Sequence, residues 1–530
     1  MKRSRKPYIA IASQIALSLS LLSACATAQE YDLPVSQPKE EIAAQSTPTA
    51  PVTTSPYRQV SHHEIRIDGE RITYDAIAGE TLLKNMNGEP TGRMFSFSYL
   101  RTNTEDRDRP VLFVFNGGPG SASLWIHMGA IGPKRAVLDA DVNPSSVPPF
   151  GVESNPDSIL DTADIVFVDP IGTGFSLAEV GVDPAMFWGV DEDAESIAQF
   201  IELWLSEHKR WNSPKYLLGE SYGSQRVSVL PRALMGSPIY NGVMRGINVD
   251  GIVLLGTTLG ARGGPEPTAD QVAAKQARTL PGLALSSLYH GKSSSGLDDE
   301  AALFEAASDY ARGPYKDALI KAANGTLQPD ERNSVLAKLE AFTGLSADQF
   351  GDDLFISERE FAKTVVADQG LEIGMYDSRY TLPLEYSAFD PVADDPAMAQ
   401  YVPGFVGSFN RMLGEVLGVE MGRPYIAIHW KDLLSSWNWE RRGVAPGQSF
   451  AVDLAWSMRR NPDLKLFVAS GYYDLVTTPA EAFAELEDAG LPIDRVRFEN
   501  YASGHMLYLG GTAEQFADDL REFLSTDNEQ

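Results

Sequence analysis

The chain has 530 residues, of which 43% are hydrophobic and 22% charged, enough for one large core or two modest ones. Lys and Arg number 44 against 72 Asp and Glu, which gives a formal net charge of −28. An acidic surface repels nucleic acid and anionic lipid, so we expect neither as a partner. The only cysteine is Cys25, which excludes an internal disulfide and a thiolate metal cluster. We expect no metal and no other cofactor.

The N-terminus predicts export. A basic start is followed by a mostly apolar run over residues 9–22, which is too short for a comfortable membrane span. The run ends in Leu22-Ser23-Ala24-Cys25, which resembles the lipobox of bacterial lipoproteins. We therefore predict a signal peptide of the lipoprotein type over residues 1–24 and lipidation of Cys25. The alternative is a secretory signal that is cut at Ala26-Thr27-Ala28.

The residues behind this signal predict a flexible tether. Residues 25–60 are rich in Ala, Ser, Thr, Gln and Pro, a composition that cannot bury a core. A tether behind a lipid anchor places the protein in the cell envelope, as a periplasmic or outer-membrane lipoprotein, with secretion as the alternative. The anchor is the only membrane contact that we expect.

The body of the chain predicts a mostly parallel sheet with helices on both faces. Short alternating segments separated by Asp-Gly and Asn-Gly turns indicate an antiparallel start over residues 61–100. Helical stretches such as 194–208 then separate apolar runs that are typical of strands buried on both faces. These runs are residues 111–115, 165–168, 216–218, 252–255 and 464–469. The alternation predicts a doubly wound α/β fold.

A large helical insertion interrupts this pattern. Strand patterns are sparse between residues 261 and 445, and helical stretches such as 298–311 and 357–369 replace them. We therefore predict a core in two parts, over residues 61–260 and 446–530, with a helical cap over 261–445.

The segment Gly219-Glu220-Ser221-Tyr222-Gly223 follows a predicted buried strand and precedes a helix-compatible stretch. This is the pattern of a nucleophile elbow, in which a serine occupies a strained turn and the flanking glycines let strand and helix approach. The chain holds no second complete copy, because the similar segment Gly447-Gln448-Ser449-Phe450-Ala451 lacks the last glycine. We therefore predict Ser221 as the nucleophile of an α/β-hydrolase fold.

A serine hydroxyl needs a base, and in this fold the order along the chain is serine, acid, histidine. Asp474 follows the strand predicted at 464–469, and His505 follows the last strand pattern. Both lie at carboxyl ends of strands, where open sheets place their sites. None of the other six histidines follows a core strand after Ser221, and His127 is expected to be an interior residue. They are His62, His63, His127, His208, His290 and His429.

Acyl transfer also needs backbone N–H donors for the oxyanion of the transition state. The residue after the nucleophile, Tyr222, supplies one N–H group. The glycine-rich turn Asn116-Gly117-Gly118-Pro119-Gly120 follows the strand predicted at 111–115 and is placed to supply another.

Five motifs now resemble the serine carboxypeptidase family, and the leader marks the chain as a bacterial exported member. The motifs are NGGPGSAS from Asn116, DIVFVDPIGTGFS from Asp164, GESYG from Gly219, GYYDLVTTP from Gly471 and SGHM from Ser503. The resemblance implies Ser221, Asp474 and His505 as the catalytic triad, with the oxyanion N–H groups on Gly118 and Tyr222. It also implies that Asn116, Gly117 and Glu220 bind the terminal carboxylate of a peptide. A carboxylate ligand beside Glu220 requires a protonated or proton-sharing glutamate, so acidic pH would favour activity.

Two departures from the family bear on carboxylate recognition. The family usually has a tryptophan two residues before the asparagine and a second glutamate before the later Gly-Pro. This chain has Val114 and Ala130 at those positions, and Ser121 replaces the usual cysteine. The triad and the glycine turn are retained.

Three functions follow as hypotheses. The first is a carboxypeptidase that releases C-terminal residues from peptides through an acyl-enzyme. The second keeps the same triad for ester hydrolysis or acyl transfer, which the residues Val114 and Ala130 favour. The third is a binding lipoprotein with an inactive hydrolase fold, against which the retained triad argues.

Overall fold

The structure is a computed structural model that describes residues 55–105, 108–138, 142, 144–238, 240–260, 262–385 and 390–525. The predicted signal peptide, Cys25 and residues 25–54 of the predicted tether lie outside the described residues. Within the described ranges, no helix is both long enough and apolar enough to cross a membrane.

The sheet begins with three long antiparallel strands. They are β1 (Arg58–Ile67), β2 (Glu70–Lys84) and β3 (Pro90–Arg101). The Asp-Gly pair between β1 and β2 forms the tight turn that the sequence predicts, because Asp68 and Gly69 both have positive φ angles, of 48° and 82°. Since β1 starts at Arg58, the end of the predicted tether is already part of the sheet.

Six further strands complete the main sheet. They are β4 (Val111–Phe115), β5 (Asp164–Asp169), β6 (Lys215–Glu220), β7 (Gly251–Leu255), β8 (Lys465–Gly471) and β9 (Val496–Tyr501). The order across the sheet is β1-β2-β3-β5-β4-β6-β7-β8-β9, with a short strand Leu177–Ala178 beside β3. The pairs from β5 to β9 are all parallel. Their carboxyl ends therefore share one edge, and the predicted α/β class is confirmed.

Thirteen α-helices of five or more residues lie in the described part of the chain. They are α1 (Val190–His208), α2 (Tyr222–Met235), α3 (Ala269–Ala277), α4 (Leu280–Tyr289), α5 (Glu300–Tyr310), α6 (Lys316–Ala323), α7 (Pro329–Thr343), α8 (Glu358–Thr364), α9 (Pro396–Arg411), α10 (Lys431–Ser435), α11 (Ala451–Arg460), α12 (Pro479–Asp488) and α13 (Ala513–Ser525). Helices α3 to α10 lie in the predicted insertion.

Separate hydrophobic cores cover the two faces of the sheet. Along β4, Leu112 and Val114 point into one core, whereas Phe113 points into the other. Helix α13 packs on the first face through Phe516, and helix α1 packs on the second through Trp204. Burial on both faces explains why the central strands are continuously apolar.

The insertion consists of two structural parts. Helices α3 to α8 surround a core of their own, which includes Leu285, Leu339 and Phe361. Helix α9 instead joins the main core, where Phe405 and Phe409, four residues apart on one helical face, are fully buried. Two short antiparallel strands, Leu371–Ile373 and Thr381–Pro383, lie between these parts.

A matched pair of glycines tests the packing at the carboxyl edge. A Cβ atom at Gly471 would lie 2.1 Å from the carbonyl oxygen of Gly504, whereas a Cβ at Gly313 would meet nothing within 4 Å. We expect Gly471→Ala to lower the free energy of unfolding by about 1–3 kcal/mol, because backbone must move to relieve the overlap. Gly313→Ala should leave it unchanged or raise it by up to about 1 kcal/mol. Equal effects in urea unfolding would contradict this packing.

Candidate active site

Ser221 lies in a sharp turn between β6 and α2. Its backbone angles are φ 59° and ψ −127°, a region that a residue with a side chain rarely adopts. The turn is compact because the flanking glycines touch: a Cβ at Gly219 would lie 2.0 Å from the carbonyl oxygen of Gly223. The Ser221 N–H donates to the carbonyl of Leu255 at the end of β7, 2.9 Å away. The side chain is partly exposed at the carboxyl edge of the sheet.

Asp474 and His505 form a buried pair at the same edge. His505 Nδ1 lies 2.7 Å from Asp474 Oδ2. The other carboxylate oxygen, Asp474 Oδ1, accepts the N–H groups of Val476 at 2.8 Å and Thr477 at 2.9 Å. The Thr477 hydroxyl also donates to Asp474 Oδ2. The carboxylate is therefore fixed on both oxygens, and its position fixes the imidazole.

His505 is held from the backbone side as well. The backbone N–H of His505 donates to the carbonyl of Tyr376, 2.7 Å away. On the ring side, a Cβ at Gly256 would lie 3.0 Å from the Nδ1 atom of His505. Burial lowers the pKa of His505, but the charge of Asp474, the hydrogen bond to it and the charges of Glu220 and Asp395 together outweigh burial and raise that pKa above its usual value. The imidazole is therefore a stronger base than a free histidine.

The glycine-rich turn packs directly on the serine turn. A Cβ at Gly117 would lie 2.5 Å from the backbone nitrogen of Tyr222 and 2.8 Å from Ser221 Cβ. Only a glycine allows this approach. The following residue, Gly118, has a φ angle of 104°, which also favours glycine. Gly118 and Tyr222, the predicted oxyanion residues, are thus brought together beside Ser221.

Asn116 and Glu220, predicted to bind a carboxylate, contact each other. Asn116 Nδ2 donates to Glu220 Oε1 over 2.7 Å, and both side chains are buried. The pKa of Glu220 is raised to about 7. Burial is the main cause, and it outweighs the charge of His505, Tyr508 and the hydrogen bond from Asn116, which act in the opposite direction. Near neutral pH this glutamate is therefore present in protonated and ionised forms.

A segment from the predicted cap lies on the glycine-rich turn. The His429 N–H donates to the carbonyl of Gly120 over 2.7 Å, and the Ala122 N–H donates to the carbonyl of Ala427 over 3.0 Å. The indole nitrogen of Trp430 would lie 3.3 Å from a Cβ at Gly118. Sequence reasoning assigned this segment to the cap and did not link it to the site, because these contacts join residues some three hundred positions apart.

Thr477 and Tyr376 are two further residues that the sequence reasoning missed. Thr477 lies in the GYYDLVTTP motif, so its position next to Asp474 could have been recognised. Nothing local marks Tyr376.

His127, in contrast, lies in the interior as expected. Its ring stacks on Phe167 with centroids 4.1 Å apart, and its Nε2 lies 2.6 Å from the Tyr99 hydroxyl. Burial lowers the pKa of His127 to about 3.

This sheet, the strained serine turn and the loops after β8 and β9 define a protein of the α/β-hydrolase fold. A family model described as serine carboxypeptidase matches residues 84–260. The pheromone-processing carboxypeptidase kex1 of Pyrenophora tritici-repentis is 32% identical over 152 residues, which are 28% of this chain and 22% of the relative. Serine carboxypeptidase-like 8 of Arabidopsis thaliana is 29% identical over 148 residues, 27% of this chain and 32% of the relative. Over residues 84–260 the chain is thus similar to the serine carboxypeptidase family.

The similarity to these relatives is partial. The chain spans 22% of the length of the fungal relative and 32% of that of the plant relative. Among solved structures, Kex1(delta)p, a prohormone-processing carboxypeptidase from Saccharomyces cerevisiae, is 14% identical with a TM-score of 0.49 and coverage of 89% of this chain and 92% of that chain.

The buried Glu220 should make stability depend on pH. Its pKa is raised from 4.5 to about 7 in the folded protein, so both states are protonated below pH 4.5 and only the unfolded chain ionises as the pH rises. The stability contribution is therefore present at low pH and lost towards pH 7. We expect the free energy of unfolding of the wild type, relative to Glu220→Gln, to fall by about 3 kcal/mol across this interval.

The control for this pH titration is Glu305→Gln, at an exposed position on α5. It should follow the wild type at every pH. If the difference between the wild type and Glu220→Gln were constant from pH 4.5 to 7, Glu220 would not carry the raised pKa.

Proposed function

We propose that the protein is a serine carboxypeptidase, with Ser221 as nucleophile, His505 as general base and Asp474 as the residue that orients the histidine. One observation carries the proposal: the buried His505–Asp474 pair, 2.7 Å between Nδ1 and Oδ2, lies at the same sheet edge as the strained Ser221 turn. The relationship to serine carboxypeptidases over residues 84–260 supports it.

The reaction proceeds in two steps. In the first, Ser221 Oγ forms a bond to the carbonyl carbon of the last peptide bond while His505 takes the hydroxyl proton. The C–N bond then breaks, His505 passes the proton to the leaving nitrogen, and the C-terminal amino acid departs. In the second, His505 takes a proton from water, which attacks the ester carbon; the bond from that carbon to Ser221 Oγ then breaks, His505 returns the proton to Ser221 Oγ, and the shortened peptide departs. The N–H groups of Gly118 and Tyr222 stabilise the oxyanion in both steps.

Recognition of the free C-terminus is assigned to Asn116, Gly117 and Glu220. The terminal carboxylate binds beside Glu220 when that glutamate is protonated, because two carboxylates in a buried site repel each other. The raised pKa of Glu220, about 7, keeps the protonated form available up to near neutral pH. The substrate class is therefore peptides with a free C-terminus.

Ester hydrolysis or acyl transfer on the same triad is the second candidate function. Val114 is buried in β4, and Ala130 is buried beside the Gly-Pro pair at 132–133. Neither side chain can donate or accept a hydrogen bond, so neither supports Glu220. This departure favours a substrate without a free carboxylate.

The cellular place of the protein is also a proposal. We propose that the chain is exported and anchored through Cys25 to the cell envelope, with peptides there as substrates. Incorporation of labelled palmitate in a Gram-negative host tests the anchor, with Cys25→Ala as the control. Equal labelling of both proteins would contradict it.

The nucleophile is tested with a fluorophosphonate probe. We expect labelling and peptide hydrolysis of the wild type, with both reduced at least about a thousandfold in Ser221→Ala, because the attacking oxygen is lost. Ser449→Ala, in the incomplete copy of the motif, is the matched control and should react like the wild type. Labelling that persists in Ser221→Ala would contradict the proposed nucleophile, and an unreactive wild type would support a binding protein instead.

The pH dependence of substrate choice tests the role of Glu220. We expect the wild type to prefer a free-acid peptide over its C-terminal amide, and the ratio of the two kcat/KM values to fall as the pH rises through about 7, where Glu220 ionises. The protonation of His505 affects the hydrolysis of both peptides equally and therefore cancels in this ratio. In Glu220→Gln this pH-dependent fall in the ratio should disappear, because the side-chain amide of the glutamine does not titrate. A wild type without preference for the free acid would contradict carboxypeptidase specificity and favour the esterase.

A further inference from the structure

The loop after His505 contains a buried tyrosine, Tyr508, close to Glu220. Tyr508 lies between β9 and α13, and its side chain is buried. Its ring packs against the backbone of Gly129: a Cβ at position 129 would lie 2.4 Å from Tyr508 Cε2. Position 129 therefore accommodates only a glycine while the ring of Tyr508 occupies the space beside it.

Tyr508 and Glu220 lie close enough for each to shift the pKa of the other. Tyr508 is among the groups that lower the pKa of Glu220, and the charge of Glu220 adds to burial in raising the pKa of Tyr508. The amide of Asn116 donates to Oε1 of the same carboxyl group. The remaining charged groups that act on Glu220 are His505 and Asp474.

This arrangement leaves two polar atoms with unused hydrogen-bonding capacity. Glu220 Oε2 and the Tyr508 hydroxyl are both buried, and neither has a hydrogen-bond partner within the described residues. Buried polar atoms without partners are costly and are usually satisfied by a ligand or water. A terminal carboxylate that accepts from Tyr508 and from protonated Glu220 would satisfy both.

We propose that Tyr508 is a specificity-determining residue that lies beside Glu220 and, when a peptide binds, donates its hydroxyl proton to the terminal carboxylate. The inference rests on the proposed carboxypeptidase function and adds to it a donor from the loop after His505. Tyr508 occupies space beside Gly129, the residue before Ala130, so it supports Glu220 from the region where Ala130 offers no polar group.

Tyr508→Phe tests this role, since it keeps the ring and removes the hydroxyl. We expect KM for a free-acid peptide to rise about tenfold or more, the usual effect of losing a hydrogen bond to a charged group. The kcat/KM for a small ester without a carboxylate should not change. The pH at which the preference for the free acid is lost should move upward, because Tyr508 lowers the pKa of Glu220 in the wild type.

The matched control is Tyr401→Phe. Tyr401 is a buried tyrosine of the same core, and its hydroxyl contacts Met398 Sδ at 3.2 Å rather than the active site. The Tyr401→Phe variant should leave KM for the free-acid peptide, the pH dependence of the preference and the ester activity unchanged. A merely structural role of Tyr508 would reduce peptide and ester hydrolysis equally, and that result would overturn the inference.

A second measurement leaves the hydroxyl in place. With 3-fluorotyrosine incorporated at position 508, the fluorine resonance should shift when a free amino acid product binds and should not shift with its amide. No shift with the free acid overturns the inference. If the wild type cleaves free-acid and amidated peptides equally, the proposed function fails and the role of Tyr508 fails with it; if it prefers the free acid and Tyr508→Phe retains that preference, the inference alone fails.

Discussion

Close contact between backbones at the carboxyl edge of the sheet is the constraint on which the site depends. Gly117 lies against the serine turn, Gly219 against Gly223, and Gly471 against Gly504, each at a distance that excludes a side chain. Because these contacts leave no room for a Cβ atom, the loop after β4 lies directly on the turn after β6, and the end of β8 lies directly on the loop after β9. This packing places the proposed nucleophile Ser221, the His505–Asp474 pair and the proposed oxyanion donors at one edge of the sheet.

The close packing of these loops also determines the charge environment of Glu220 and His505. Glu220 ends β6 directly before the nucleophile, so it is buried in the neighbourhood of His505 and Asp474. Burial makes the neutral form of Glu220 accessible near pH 7 and at the same time strengthens each hydrogen bond that orients His505. The proposed triad for acyl transfer and the proposed neutral acid for carboxylate recognition thus share one buried environment, in which we propose Tyr508 as the link between them.

Local patterns were enough to predict much of this architecture. The apolar runs at 111–115 and 252–255 mark strands that are buried on both faces, and the Asp-Gly turn before β2 marks a hairpin. Long-range packing could not be predicted. Helix α9 reads as part of a cap but joins the main core, and His429 and Tyr508 reach the site through contacts with residues distant in the chain. One sequence contains no information on such pairs.

The most direct test of the account is the fate of a defined peptide. The purified protein is incubated in water enriched in oxygen-18 with a peptide that has a free C-terminus and with its amidated counterpart, and the products are analysed by mass spectrometry. The account predicts that only the free-acid peptide loses its last residue and that the shortened product carries the heavy oxygen. Internal cleavage, equal loss from the amidated peptide, or no cleavage beside active ester hydrolysis would contradict it.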